Sequence, residues 1–133
     1  MTGGCVLDTD MCIHALRGHG GVLRELKARS PSAVFTTAMT LAELRYGCLK
    51  SRDPEANLAR VTAFLGPLTI LDFDAAAAAA HAEIRWALRE QPIGERDLVI
   101  ASVARARSLS VVTANAREFS RVPGLSLETW GSR

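Results

Sequence analysis

Short apolar runs alternate along this chain with longer stretches in which apolar residues recur every three or four positions, a pattern that predicts strands separated by helices. Residues 5–8 (CVLD) form the first run, and residues 11–17 read as a helix closed by Gly18. A second short helix over 22–29 stops at Ser30 and Pro31, and 33–37 (AVFTT) have strand character. A third helix covers about 39–50. Asp53 caps a fourth, which carries Pro54 in its first turn and Val61, Phe64 and Leu65 on its inner face, and ends at Gly66 and Pro67. Residues 68–73 (LTILDF) are the next strand, after which Asp74 caps an alanine-rich helix reaching about residue 90. Pro92, Ile93 and Gly94 break that helix; a further helix over 95–107, a buried strand at 110–113 (SVVT) and a last strand at 125–130 follow.

The strands are apolar throughout rather than alternating, as expected of a parallel sheet covered on both faces in an α/β fold. Ligands of such sheets sit beyond the carboxyl ends of the strands. That rule selects Asp8 and Asp10 after the first strand, Thr36 and Thr37 after the second, Asp72 and Asp74 after the third, and Thr113 and Asn115 after the fourth.

Composition narrows the function. The 133 residues suit one domain, and 48% hydrophobic with 23% charged residues excludes disorder. The longest strictly apolar run is six alanines at 75–80, far below the roughly 18 residues of a membrane span, and the N-terminus lacks an export signal. The expected setting is the cytoplasm, with no membrane. Cys5, Cys12 and Cys48 have no CxxC spacing and read as buried reduced thiols. The net charge of +2 does not by itself indicate nucleic acid, although 14 of the 16 basic residues are Arg, the side chain best suited to gripping phosphate.

Asp8 reads equally as a helix N-cap or as a functional carboxylate. Asp97 lies in the first turn of its helix, where negative charge is favoured, and Ala101 and Ala104 beside it imply a small-walled recess. Glu43 falls opposite the apolar arc of Leu41, Leu44, Cys48 and Leu49, which makes it a solvated residue on periodicity, with Gly47 one turn later opening space. GxxxxGK, GxGxxG and HExxH are absent, and His14, His19 and His81 show no ligand pairing. What survives is carboxylate chemistry. Oxygen donors suit Mg²⁺ or Mn²⁺, and clustered carboxylates repel one another unless a cation neutralises them. Metal-assisted attack of water on a phosphodiester is the natural reaction of such a cluster.

The motifs LDTD at 7–10, TLAELRYG at 40–47, PIGERDLVIA at 92–101 and VVTANAREFSRVPGLSLETW at 111–130 occur in the order found in VapC-type PIN-domain ribonuclease toxins, which the chain resembles over nearly its whole length. The resemblance implies a single PIN domain over 1–133, an α/β/α sandwich with a mainly parallel sheet. It further implies a Mg²⁺- or Mn²⁺-dependent endoribonuclease acting on structured RNA, tRNA in particular, as a homodimer held inactive by a VapB-type antitoxin. By position, Asp8, Glu43 and Asp97 match the family's three acidic site residues, with Asp8 and Asp97 as the principal metal ligands. Glu118 is the favoured fourth acid, supported by Asn115 and Thr113, while Thr9 and Thr37 would orient the carboxylates. Asp10 stands where the family commonly has Asn, and Gln91 runs into Pro92 with a short connection; both bear on metal or substrate preference. Two rival readings are a haloacid-dehalogenase-like phosphotransferase using the DxD of Asp8 and Asp10, and a non-catalytic PIN-fold binding module. The only lysines, Lys27 and Lys50, are poorly placed for the former.

Overall fold

The computed structural model describes residues 3–131. Strand β1 (Cys5–Leu7) leads into α1 (Thr9–Leu16) and α2 (Gly20–Lys27), and a 3-10 turn at Pro31–Ala33 precedes β2 (Val34–Thr37). Then come α3 (Ala38–Lys50), α4 (Pro54–Leu65), β3 (Thr69–Leu71), α5 (Ala75–Ala87) and α6 (Glu95–Ala106), followed by β4 (Ser110–Val112), α7 (Ala116–Phe119) and β5 (Leu127–Glu128). All strand pairs are parallel, in the order β3-β2-β1-β4-β5. The chain steps outward from β1 to β3 and then returns to lay β4 on the other side of β1. Connections therefore diverge between β1 and β4, which makes the carboxyl end of that pair the crevice where an α/β sheet binds ligands.

Successive side chains of a strand point to opposite faces, and β1 divides the core accordingly. Cys5 and Leu7 join Met11, Cys12, Val22, Leu44 and Val61 from α1 to α4. Val6 joins Ile84, Ile100, Val103 and Phe119 from α5 to α7. Burial on both faces is why β1 reads as an unbroken apolar run. Ala77 and Ala80 of α5 and Ala101 and Ala104 of α6 are all buried, small side chains that let these two helices pack closely. The recess expected beside Asp97 is therefore not made by Ala101 and Ala104, which are core residues. All three cysteines are buried free thiols, and burial pushes the Cys12 thiol up to about 12.

Asp53 and Asp74 cap their helices through the backbone N–H groups of Ala56 (3.2 Å) and Ala77 (3.0 Å), as their sequence contexts predict. Several boundaries differ by a few residues, and one element is unforeseen. Helix α5 stops at Ala87, β5 is confined to Leu127–Glu128, and α7 has no counterpart in the pattern of the sequence. A helix of one turn is not stable on propensity. Phe119, fully buried, anchors α7 instead, and burial of such a ring contributes about 1.5–3 kcal/mol. Among the described residues no helix is long and apolar enough to cross a membrane.

Candidate active site

Asp8 is the first residue beyond β1. The pairing of Leu7 with Val112 continues into a hydrogen bond from Asp8 N to Val112 O (3.1 Å), which sets Thr113 beside it. Asp8 Oδ1 accepts the Met11 N–H at 2.9 Å as the N-cap of α1, and the Thr113 hydroxyl donates to the same carboxylate. The two readings of Asp8 thus coexist, because a carboxylate that spends one oxygen on a cap retains the other. Asp8 is only 3% exposed. Burial pushes its carboxyl up to about 6, the Thr113 and Met11 hydrogen bonds pull it down, and the negative charges of Asp10 and Asp97 add to the rise.

Asp97 stands in the first turn of α6. Its carboxyl is held above the ordinary range by burial first, then by the charges of Glu118, Asp10 and Glu43, against a hydrogen bond from Asn115. Asn115 Nδ2 lies 3.5 Å from Asp97 Oδ2, and Asn115 N donates to Thr113 Oγ1 at 2.7 Å. The segment after β4 thereby brings Thr113 to Asp8 and Asn115 to Asp97, while the Phe119 anchor of α7 carries the neighbouring Glu118 into the same acidic field. Among the described residues no Lys or Arg forms an ion pair with Asp8 or Asp97.

Glu43 is not the solvated residue that periodicity predicts. Thr9 Oγ1 donates to Glu43 Oε1 at 2.5 Å, and Arg96 Nε approaches Glu43 Oε2 at 3.3 Å. Thr9 is itself 3.1 Å from the hydroxyl of Thr40, which is 3.4 Å from that of Thr37. Thr37 touches no carboxylate directly; it caps α3 through Thr40 N and supports Glu43 through two intervening hydroxyls. Leu49, assigned by periodicity to the buried arc of α3, is 74% exposed. Thr36 donates to Leu7 O at 2.9 Å and is structural, and Asp74 pairs with Arg107 at 3.0 Å away from the cluster. Sequence reasoning missed Thr40 and Arg96. The available signals were that Thr40 lies three residues before Glu43, within reach on one helix face, and that Arg96 adjoins Asp97.

The carboxylates of Asp8, Asp10, Glu43, Asp97 and Glu118 thus share one electrostatic region beside the β1/β4 crevice, and Glu43 and Asp97 also line a cleft of about 470 Å³ with Gly94, Glu95 and Arg96. Two carboxylates that repel each other and, among the described residues, lack a basic partner, flanked by the Thr113 hydroxyl and the Asn115 amide, form a donor set that fits a hard divalent cation. Among the described residues no three His, Cys, Asp or Glu side chains close on a single point as an all-protein cage would.

The PIN domain family matches residues 5–125. The chain is 42% identical over 127 residues to a protein of Shigella flexneri named tRNA(fMet)-specific endonuclease VapC, covering 94% of this chain and 96% of that one. It is 38% identical over 130 residues to ribonuclease VapC2 of Rickettsia felis, again covering 94% and 96%. The DNA-bound VapBC structure from Salmonella typhimurium superposes with a TM-score of 0.90 at 40% identity, over 97% of this chain and 99% of that one. With the acids of LDTD, TLAELRYG and PIGERDLVIA gathered at one crevice of this fold, the chain belongs to the PIN-domain family and, within it, to the VapC proteins.

Proposed function

We propose that this protein is a Mg²⁺- or Mn²⁺-dependent endoribonuclease that hydrolyses phosphodiester bonds in structured RNA, tRNA in particular. The observation that carries the reading is the convergence of Asp8 and Asp97 at the β1/β4 crevice, both with raised pKa and, among the described residues, without a cationic partner. The names of the Shigella flexneri and Rickettsia felis relatives support the nuclease class and the RNA substrate.

In this reading Asp8 and Asp97 would hold the metal ion, with the carboxylates of Glu43 and Glu118 contributing negative charge beside them. A bound ion of this kind supplies an activated water and neutralises charge on the phosphate. Thr113 fixes the Asp8 carboxylate and Asn115 that of Asp97, while Thr9 and Thr40 hold Glu43, so the acids are oriented before substrate arrives. Water attacks phosphorus and the bond to the 3′ oxygen breaks. The proton lost by water ends on that oxygen, leaving a 3′-hydroxyl and a 5′-phosphate. Asp10 lies in the first turn of α1, where it adds charge near Asp8 and Asp97 and thus favours cation binding.

Fit with VapBC assemblies supports a VapB-type antitoxin as regulator, and exposed Leu49 on α3 supports a homodimer contact. Buried reduced thiols and an RNA substrate suit the cytoplasm. An aspartyl-phosphate mechanism fits poorly with the relatives, which are named endonuclease and ribonuclease.

The direct test is cleavage of end-labelled total tRNA in Mg²⁺, Mn²⁺ or EDTA. Discrete fragments in either metal and none in EDTA are expected; intact RNA throughout, with folded protein free of antitoxin, would favour a binding module. Glu118 and Glu128 provide an internal control. Glu128 is tied to Ser110 (2.6 Å), Trp130 (3.0 Å) and Arg29 (3.2 Å), and these contacts outweigh its burial to lower its pKa. Glu118→Gln is expected to weaken Mn²⁺ binding by about 10- to 100-fold with little effect on stability. Glu128→Gln should leave Mn²⁺ affinity intact and lower the melting temperature. Calorimetric titration and thermal unfolding of both variants decide it, and equal metal affinities would remove Glu118 from the site.

A further inference from the structure

The acidic cleft does not end at Asp97. A second cavity, of about 600 Å³, adjoins it and shares Glu43 and Arg96 as a common wall. From there it runs along α3 past Thr9, Asp10 and Met39 to Tyr46, Gly47 and Lys50. Its size lies within the roughly 300–1,000 Å³ typical of small-ligand sites. The passage is open at Gly47, where a Cβ would meet nothing within 4 Å.

Three residues give this second cavity a chemistry distinct from the metal-binding acids. Arg96 approaches Glu43 Oε2 with its Nε at 3.3 Å, and its planar guanidinium carries further N–H donors that can meet an anion. The Arg96 side chain is 72% exposed, as expected of a group that has not settled on an internal partner. Two turns along α3 from the Thr40 end, Tyr46 is 61% exposed, with the Lys50 ammonium 4.9 Å from its ring centroid. A large aromatic left in water beside a cation, at the far wall of a polar cavity, provides a stacking surface and a phosphate contact together. Among the described residues, Arg96 and Lys50 are the only basic side chains lining the cavity, and they bracket Tyr46 and Glu43.

Resting on the ribonuclease reading, we infer that Arg96, Tyr46 and Lys50 form a nucleotide subsite flanking the cleavage position: Tyr46 stacks one base of a single-stranded RNA segment, and Arg96 and Lys50 hold phosphates on either side of it. The subsite offsets the repulsion that five carboxylates impose on an incoming polyanion. It also selects for unpaired RNA, since a base stacked within a duplex cannot reach Tyr46. These residues are positioning groups for substrate; Tyr46 and Lys50 stand clear of the acids proposed to hold the metal, whereas Arg96 also pairs with Glu43.

The test uses the full chain in two arms. In the first, RNA binding is read without turnover by fluorescence anisotropy of labelled unfractionated tRNA, in an Asp8→Asn background with Ca²⁺, as a function of KCl. Tyr46→Leu is expected to weaken binding about tenfold, with Tyr46→Trp restoring it. Arg96→Gln with Lys50→Gln is expected to lower the slope of log K against log salt by about 1.4, the value for two lost contacts to single-stranded phosphate. In the second arm, cleavage by protein with the Asp8 carboxylate intact should show KM rising in Tyr46→Leu and in Lys50→Gln with kcat changed by less than about twofold. All three residues are solvent-facing, so folding should be retained. An unchanged affinity and salt slope would overturn the subsite. So would loss of binding in Tyr46→Leu that tracks dissociation of a dimer in sedimentation, which would assign the ring to contact between copies. Absence of cleavage by the unaltered protein would count against the ribonuclease reading alone, because the binding arm judges the subsite separately.

Discussion

Asp97→Asn is expected to lower RNA cleavage by at least about 10³-fold while leaving the protein folded, the result of removing one negative charge with almost no change in shape. A metal ion contributes several kcal/mol of transition-state stabilisation, and each 1.36 kcal/mol is tenfold in rate. The structural cost of the substitution is small. Asp97 gains something from its place in the first turn of α6, about 0.3–1 kcal/mol, but that gain is opposed by burial and by the charges of Glu118, Asp10 and Glu43. An amide in its place also keeps a polar group facing Asn115. Cleavage time courses in Mn²⁺ and thermal unfolding of the same preparation check both halves. Activity within tenfold of the unaltered protein would remove Asp97 from the metal site, and a large fall in melting temperature would mean that the loss of activity reports damage to the fold.

Most of the architecture behind that prediction is legible in the sequence, because strands buried on both faces and helices with capping residues leave local marks. CVL before Asp8, Asp53 with Pro54, and Asp74 before six alanines each specify an element within a few positions. What escapes is information carried by contacts between elements. Glu43 is misplaced by periodicity because counting apolar positions detects only the side of α3 that packs on α1 and α4, whereas Glu43 faces polar groups of α1 and α6. Leu49 errs in the opposite sense: it continues the apolar spacing in the last turn of α3, where no neighbouring element covers it. Helix α7 leaves no periodic signal in four residues and exists through the burial of Phe119. Thr113 and Asn115 are found by the strand-end rule, yet their separate duties toward Asp8 and Asp97 depend on the parallel register of β1 and β4. Motif resemblance recovers Glu43 where physical periodicity does not, since a motif preserves the result of tertiary contacts that no local rule computes.

Asp8→Asn is expected to abolish cleavage and at the same time to make the metal-free protein more stable at neutral pH. The carboxyl of Asp8 rises from an ordinary value of 3.8 to about 6 in the folded chain, a burden of about 3 kcal/mol at most when the group is fully ionised. Between those two values the folded state binds more protons than the unfolded state, so stability declines as pH rises through the interval, and the burden is complete above about 6. The direction is opposite to that of a salt-bridged aspartate. An asparagine in its place cannot ionise and still caps α1 through Met11 as well as Asp does, so the variant should lose that decline and gain about 1–3 kcal/mol at pH 7.5. Asp8→Ala separates the two duties: it also removes the charge but forfeits the cap, at about 1 kcal/mol. Divalent cation should reverse the order. Binding only the native state, it stabilises the unaltered protein in proportion to the logarithm of its concentration over Kd and leaves the Asp8→Asn variant unaffected. Urea unfolding at pH 4.5 and 7.5, with EDTA or Mn²⁺, reads all of these differences. Equal pH dependence in the two proteins would mean that Asp8 carries no burden from burial, and equal Mn²⁺ stabilisation would mean that the ion is held elsewhere. The expected outcome makes Asp8 a residue whose buried charge weakens the fold until a cation joins it, so that the same desolvation which costs stability in the empty protein strengthens the hold on metal.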